Sequence, residues 1–325
     1  MTTRYTLPFR AVIPLLAAAA LLCVAVDAFA QSTQKTPVIF DTDIGDDIDD
    51  TWALAMLLKS PQLDLKLVTT TYGKAEYRAK IIARILTVAK RADVPIGLGA
   101  GGRAGEGGQQ PWVKDYDLKN YAGKIHEDGV QALIDMITKS PEPITIISVG
   151  PSTTVAAALQ RQPGIASRAL FAGMQGSVRK GYEGGKVCAE YNVKEDPRAS
   201  QKALLAPWKQ TLITPLDTCG LVKLSGKRFQ ALCDSNDDLV KAVLTNYRIW
   251  AKKETVTESS ILFDTVAVYL AYPGPKPIVQ LEQLNINVNS EGFTLIDPKG
   301  AKMSVATDWK NLDAYNDLLV KVLLQ

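Results

Sequence analysis

The chain has 325 residues, 46% of them hydrophobic and 22% charged, enough to bury an ample core in one large domain. Its 37 basic and 34 acidic residues leave a net charge of +3, so no long-range field points to nucleic acid or to an anionic membrane. Four cysteines without a C-x-x-C pair and a single histidine exclude a zinc-type cluster.

The first segment reads as a secretory signal over residues 1–30. Arg4 and Arg10 precede an apolar run at 11–26, and Ala28-Phe29-Ala30 fits an A-x-A cleavage site before Gln31. The run is short for a membrane span, and no later segment is apolar enough to be one. An uncleaved anchor is the alternative. Cys23 lacks the small preceding residue of a lipoprotein cysteine. Removing 30 residues from 325 leaves a mature chain of 295, periplasmic or secreted, with Cys188, Cys219 and Cys233 either partly paired or all free.

After that leader, strand-like and helix-like segments alternate. Residues 36–40 read as a strand, 51–59 as a helix stopped by Ser60-Pro61, and 65–71 as a second strand. Residues 76–91 form an amphipathic helix with Ile81, Ile82, Ile85, Leu86 and Val88 on its apolar faces. A short strand at 94–98 leads into a glycine-rich loop at 99–110. Helices at 128–140, 152–160 and 197–205 alternate with strands at 144–149, 170–174 and 211–215; Asp196 and Pro197 open the third of those helices. Residues 237–250 and 261–271 are helical, 276–288 and 292–297 form a late hairpin, and 314–324 is a closing helix. The pattern predicts an α/β fold. It is a single domain over 31–325, with a mostly parallel, Rossmann-like sheet flanked by helices and a late antiparallel hairpin.

Three places carry chemistry. The first strand ends in Asp41, Asp43, Asp46, Asp47, Asp49 and Asp50, six carboxylates within ten residues. Packed this closely they repel one another unless a cation sits among them, and an oxygen-only set suits Ca²⁺ or Mg²⁺. Ligands of open α/β sheets bind beyond the carboxyl ends of strands, where this run lies. Asp41 and Asp43 share a face if the chain stays extended, Gly45 permits a sharp turn, and Asp49 and Asp50 begin the next helix, where its dipole favours anions. The second place is Cys188-Ala189-Glu190-Tyr191-Asn192-Val193, read as a strand or strand end whose Glu190 and Asn192 could meet a hydroxyl-rich ligand; a capped loop is the plainer reading. The third is Asp264, an acid among apolar residues in a helix-like run, which needs a partner or a metal if buried. Gly97-Leu98-Gly99-Ala100-Gly101-Gly102 matches G-x-G-x-x-G, but no helix follows it, so it is not a dinucleotide fingerprint.

In their shared order these motifs resemble the inosine-uridine-preferring nucleoside hydrolase family. Asp41 to Asp50 is similar to its D-x-D-x-G-x-D-D signature. Ile125-His126-Glu127-Asp128-Gly129 is similar to I-H-G-x-x-G, Val149-Gly150-Pro151-Ser152-Thr153-Thr154 to T-G-P-L-T-N, and Ala189-Glu190-Tyr191-Asn192 with Asp196-Pro197 to A-E-F-N…D-P. Phe263-Asp264 stands where the family has an aspartate often preceded by histidine. The resemblance implies a Ca²⁺-dependent hydrolase that splits ribonucleosides into ribose and free base, with a role in purine and pyrimidine salvage, as a homodimer or homotetramer. It implies Asp43 as Ca²⁺ ligand and general base toward water, with Asp50, Asp264 and the Val149 carbonyl completing the ligand set. Asp49 and Asn192 would hold the ribose 2′- and 3′-hydroxyls and Glu190 the 5′-hydroxyl. Met174 would pack near the sugar, and Asp41 would support the ligands from behind.

Two positions depart from the family pattern: Phe263 replaces the histidine near the leaving base, and Lys74 replaces an asparagine that touches the sugar. His126 is then left either to protonate the base or to cap its loop, and Tyr191, Trp250 or a loop tyrosine are candidates for stacking on it. Two other readings compete. A haloacid-dehalogenase-type phosphohydrolase also opens on D-x-D, but it needs Thr or Val where Gly45 stands and an anionic substrate tolerates so many acids poorly. A secreted Ca²⁺-dependent riboside-binding protein would share the scaffold without turnover.

Overall fold

The computed structural model describes residues 1–3, 35–102, 105–272, 274 and 276–325. Residues 4–30 of the expected leader, with its cleavage site and Cys23, lie outside them. Ten strands build one sheet: β1 (Thr36–Thr42), β2 (Leu63–Thr70), β3 (Ile96–Gly97), β4 (Ile125–His126), β5 (Ile144–Ser148), β6 (Ala169–Met174), β7 (Thr211–Thr214), β8 (Val279–Val288), β9 (Thr294–Ile296) and β10 (Ala301–Trp309). Their order is β4-β3-β2-β1-β5-β6-β7-β10-β8-β9. Every pair from β4 across to β10 is parallel; β8 runs antiparallel to β10, and β9 to β8. The order reverses at β1, which lies between β2 and β5, so the crevice beyond its carboxyl end is the expected ligand position. Thr36–Gln325 is one unit, and no described helix is long and apolar enough to cross a membrane.

Both faces of the sheet are covered. In β1, Val38 and Phe40 pack into one core and Ile39 into the other, as a two-residue period demands. The first core holds the helices Asp49–Lys59, Ala75–Val88, Asp238–Ala251, Phe263–Leu270 and Leu312–Leu323; the second holds Gly129–Lys139, Thr153–Arg161 and Pro197–Leu204. A bulge interrupts β2: Val38 pairs with Leu65 and Ile39 with Leu67, so Lys66 is the extra residue. Leu63 and Leu65 therefore share a core with Val68, while Leu67 enters the opposite one.

The α/β class, the parallel sheet and the late hairpin match the sequence reading, while a helix end and a strand of the frame correct it. The helix expected at 76–91 ends at Val88, because Lys90 turns left-handed (φ 56°) and the chain folds back with Arg91 N donating to Leu86 O. The hairpin β8–β9 is joined by an unanticipated third strand, β10, inserted between β7 and β8. In its buried stretch only Met303 and Val305 are large and apolar, alternating with Lys302 and Ser304, and the stretch runs on through small or polar Ala306 and Thr307, a short signal for a strand.

Candidate active site

A cavity of about 290 Å³ opens at the carboxyl ends of β1, β5 and β6. Its floor is buried and polar, formed by Asp43, Asp49, Asp50, Glu190, Asn192 and Asp264 with Val149 and Met174. Its rim is more open: Asp46 and Phe263 are half-buried, and Asp47, Tyr182 and Tyr191 are exposed.

The floor grows out of the strand ends. Asp41, fully buried, accepts from Thr69 Oγ1 of β2 (2.7 Å) and Ser148 Oγ of β5 (3.4 Å), and its carbonyl accepts from Val149 N (2.9 Å). It thus ties three strand ends together beneath Asp43. Burial pushes the Asp41 carboxyl up to about 7, against the Thr69 hydrogen bond and with help from the Asp43 charge. Asp49 and Asp50 occupy the first turn of helix Asp49–Lys59, and Asp264 that of helix Phe263–Leu270. The two helix starts meet where Asp264 N donates to Asp49 Oδ2 (3.2 Å). One carboxylate oxygen each from Asp49, Asp50 and Asp264 lies within 4.8 Å of the others, all three residues buried. Burial first holds all three well above the ordinary carboxylate range, and neighbouring charges add to it: Asp47 and Asp43 on Asp49, Asp43 and Asp49 on Asp50, and Asp49, Asp50 and Asp43 on Asp264. Such a donor set, oxygen-only and short of positive charge, fits a hard divalent cation.

The opposite wall comes from residues 190–192. They are not a strand: helix Tyr191–Glu195 starts here, and Glu190 is its N-cap, accepting from Asn192 N (2.8 Å). Its other oxygen accepts from Gly176 N (2.8 Å). Burial pushes the Glu190 carboxyl up to about 7, against these backbone donors. Asn192 Nδ2 donates to Val149 O (3.1 Å) and to Met174 O (3.0 Å), which leaves the Asn192 carbonyl oxygen for a ligand hydroxyl.

Of the residues singled out from the sequence, the cavity gathers Asp43, Asp49, Asp50, Val149, Met174, Glu190, Asn192 and Asp264, with Asp41 directly behind. The carboxylate trio shares Asp50 and Asp264 with the expected ligand set and adds Asp49. His126 is not brought to the lining. It lies on the edge strand β4, three strands from β1, with its carbonyl accepting from Leu98 N (2.8 Å). Lys74 is also outside it, 3.6 Å from Glu106 on a separate surface depression. Trp250 does not line it either, but donates from Nε1 to Asp46 O (3.0 Å). Cys188, Cys219 and Cys233 are all free thiols.

The residues that shape the acidic turn escaped the sequence reading. Arg78 has no exposed surface. Its guanidinium donates to Asp43 O, to Ile44 O (3.0 Å) and to Tyr72 O (2.5 Å), and pairs with Asp46 (2.7 Å). The signal was present: Arg78 stands three and four residues before Ile81 and Ile82, an arginine inside an apolar stripe. Gln109, also fully buried, donates to Asp47 O (2.6 Å) and accepts from Thr51 Oγ1 (2.8 Å) and Asn246 Nδ2 (2.5 Å). Gly107 packs so close to the turn that a Cβ there would lie 2.2 Å from Gly45 O. Thr42 Oγ1 donates to Asp50. Tyr182, the loop tyrosine at the rim, meets Phe263 edge-on (centroids 6.0 Å apart, 89°) and accepts from Tyr191 N (3.3 Å). Its loop is pinned from below: Asp217 accepts from Val178 N (2.9 Å) and Arg179 N (2.7 Å), and Arg179 forms a two-pronged pair with Glu282 of β8 (2.6 and 2.9 Å).

Comparison with known proteins agrees with this architecture. The pyrimidine-specific ribonucleoside hydrolase RihA of Salmonella newport (strain SL254) is 29% identical over 183 residues, covering 51% of this chain and 55% of that protein, and RihA of Escherichia fergusonii is 30% identical over the same span. The match thus spans about half the length of these relatives. Among solved structures, a plant nucleoside hydrolase superposes with a TM-score of 0.75 at 21% identity, covering 89% of this chain and 99% of that one. A purine-preferring ribonucleoside hydrolase from Gardnerella vaginalis gives 0.70 at 20% identity, covering 89% and 98%. At that identity the superpositions establish the fold. The family model for inosine-uridine preferring nucleoside hydrolases matches residues 38–318, and this chain belongs to that family.

Proposed function

We propose that this protein hydrolyses the N-glycosidic bond of ribonucleosides, releasing ribose and free base, with Ca²⁺ as its metal. The observation that carries the reading is the buried meeting of Asp49, Asp50 and Asp264 beside Asp43, facing Glu190 and Asn192 across one cavity. Asp49, Asp50 and Asp264, with Asp43 and the Val149 carbonyl, would hold the cation. When bound, a divalent ion supplies Lewis-acid activation of water and a clamp for a vicinal diol.

The side chains account for the rest. Asp43, beside the trio, accepts the proton of the water that attacks C1′. Cleavage of the C1′–N bond leaves positive charge on the sugar, and the carboxylates of the floor stabilise it as it develops. The Asn192 carbonyl oxygen accepts from a ribose hydroxyl, and the Glu190 carboxyl, fixed by two backbone donors, meets another. Burial of the floor keeps water from competing for these contacts.

Base release from purine and pyrimidine ribonucleosides, measured with Ca²⁺ and with a chelator, tests the proposal. Chelator-sensitive release of any base is expected. Riboside binding without release would instead identify a binding protein on the same scaffold.

A further inference from the structure

We propose that the rim of this cavity selects ribosides whose base already carries positive charge, of the N-ribosylpyridinium or N7-alkylpurine class. This rests on the hydrolase reading and specifies its substrate.

The cavity is graded. Its buried floor is polar and suits the sugar, which places a base among Asp46, Asp47, Tyr182, Tyr191 and Phe263. Seven carboxyl groups line the whole, and among the described residues no histidine, lysine or arginine does. A divalent cation would offset carboxylates of the floor, and the buried Arg78 pairs with Asp46 at the rim. At the rim Asp47 is exposed and pairs with no lysine or arginine among the described residues. Three aromatic faces stand beside it, and exposed Tyr182 and Tyr191 offer their π-surfaces to a planar cation.

The leaving-group chemistry points the same way. When a neutral nucleoside is cleaved, the C1′–N bond pair goes to the base, which must gain a proton or depart as an anion. The only histidine stands on β4, away from the lining, and the rim carboxylates oppose a negative charge growing beside them. In a ribosylpyridinium the same electron pair returns to the ring nitrogen and cancels its positive charge, so the base leaves neutral without a proton. The water oxygen bonds to C1′ and its proton passes to the Asp43 carboxylate. Atoms and charge balance, and the rim carboxylates favour this substrate through the positive charge that the base still carries in the transition state.

The test compares kcat/KM for nicotinamide riboside with that for inosine, using the full chain with Ca²⁺. Wild type is read against Asp47→Asn, so the intrinsic lability of the pyridinium cancels. Asparagine keeps an oxygen that can accept from Ile48 N (2.7 Å), so this contact of the turn is retained. The nicotinamide riboside to inosine ratio should fall about fivefold in Asp47→Asn, and wild type should show the same trend as salt rises from about 0.05 to about 0.5 M. Tyr191→Leu, which removes a ring face and leaves the acids intact, should lower the ratio as well. A ratio unmoved by these substitutions and by salt, with inosine still cleaved, overturns this inference and leaves the hydrolase reading standing. Release of base from neither riboside overturns both.

Discussion

Arg78 offers the most severe test of how the acidic turn is held. Arg78→Met keeps the length and apolar stem of the side chain and deletes the guanidinium. The structure sets the cost. Three carbonyls, those of Asp43, Ile44 and Tyr72, lose their donor, and Asp46 loses its ion-pair partner. Breaking a fully buried pair costs roughly 3–5 kcal/mol, but the Asp46 side chain is 25% exposed, so its share falls at the lower end. Each orphaned carbonyl that water cannot reach adds about 1 kcal/mol or more. These terms overlap, and a total near 4 kcal/mol follows, a large part of the stability of any single domain. The Asp43 and Asp50 carboxyls also lose the nearby positive charge that opposes their rise. Urea denaturation of the chelated protein reads the stability. Arg78→Lys, which keeps the charge but not the fork of donors, should fall between wild type and Arg78→Met. A loss below about 1 kcal/mol in Arg78→Met would show that the turn holds itself and that the guanidinium contacts are incidental.

Other expectations are as direct. Asp43→Asn should cut turnover by about 10²-fold or more and weaken Ca²⁺ binding in titration calorimetry; wild-type turnover would remove Asp43 from the proton-accepting role. Glu190 is held at about 7 in the folded protein against an ordinary 4.5, so between those values the folded state keeps a proton that the unfolded state has released. Its contribution, roughly 3 kcal/mol, is complete below the lower value and is lost as pH rises through 7. Melting temperatures of the chelated protein should therefore drop from about pH 5 to about pH 8, and Glu190→Gln should flatten the slope. A Glu190→Gln slope as steep as wild type would assign the effect elsewhere. Gly107→Ala would force the loop off the acidic turn, at a cost of about 1–3 kcal/mol in a thermal melt, and an unshifted melt would show that the turn yields freely.

What was legible in the sequence was what a local pattern encodes. The apolar strand, the dense aspartates and the helix after them come from neighbouring residues, and the structure places Asp41 to Asp50 at the end of β1 and the head of the next helix. Asp264 could be flagged because an acid among Leu262, Val266 and Ala267 is anomalous. The rest depends on contacts distant in sequence. Gln109 meets Asp47 and Asn246 across 62 and 137 residues, and nothing in a glycine-rich loop announces that. β10 escaped because both its faces are covered by neighbours that accept Ser304, Ala306 and Thr307 as readily as larger apolar residues. Glu190 to Asn192 looked like a strand through simple alternation, yet Glu190 with an amide two residues on is equally the start of a helix. His126 drew attention through its rarity, which says nothing about distance from a cavity.

The pinning of the 177–188 loop joins two regions that a map of the sheet would keep apart. Through Arg179 and Glu282, the aromatic rim is fastened to an antiparallel strand near the far edge, and Asp217 clasps the loop amides from the segment after β7. Local opening of that edge would carry the mouth of the cavity with it. The amides of Val178 and Arg179 should therefore exchange hydrogen in step with those of β8 rather than with the exposed loop around them. The edge hairpin, remote from the reacting atoms, thus adds one tether to those that hold the mouth in shape.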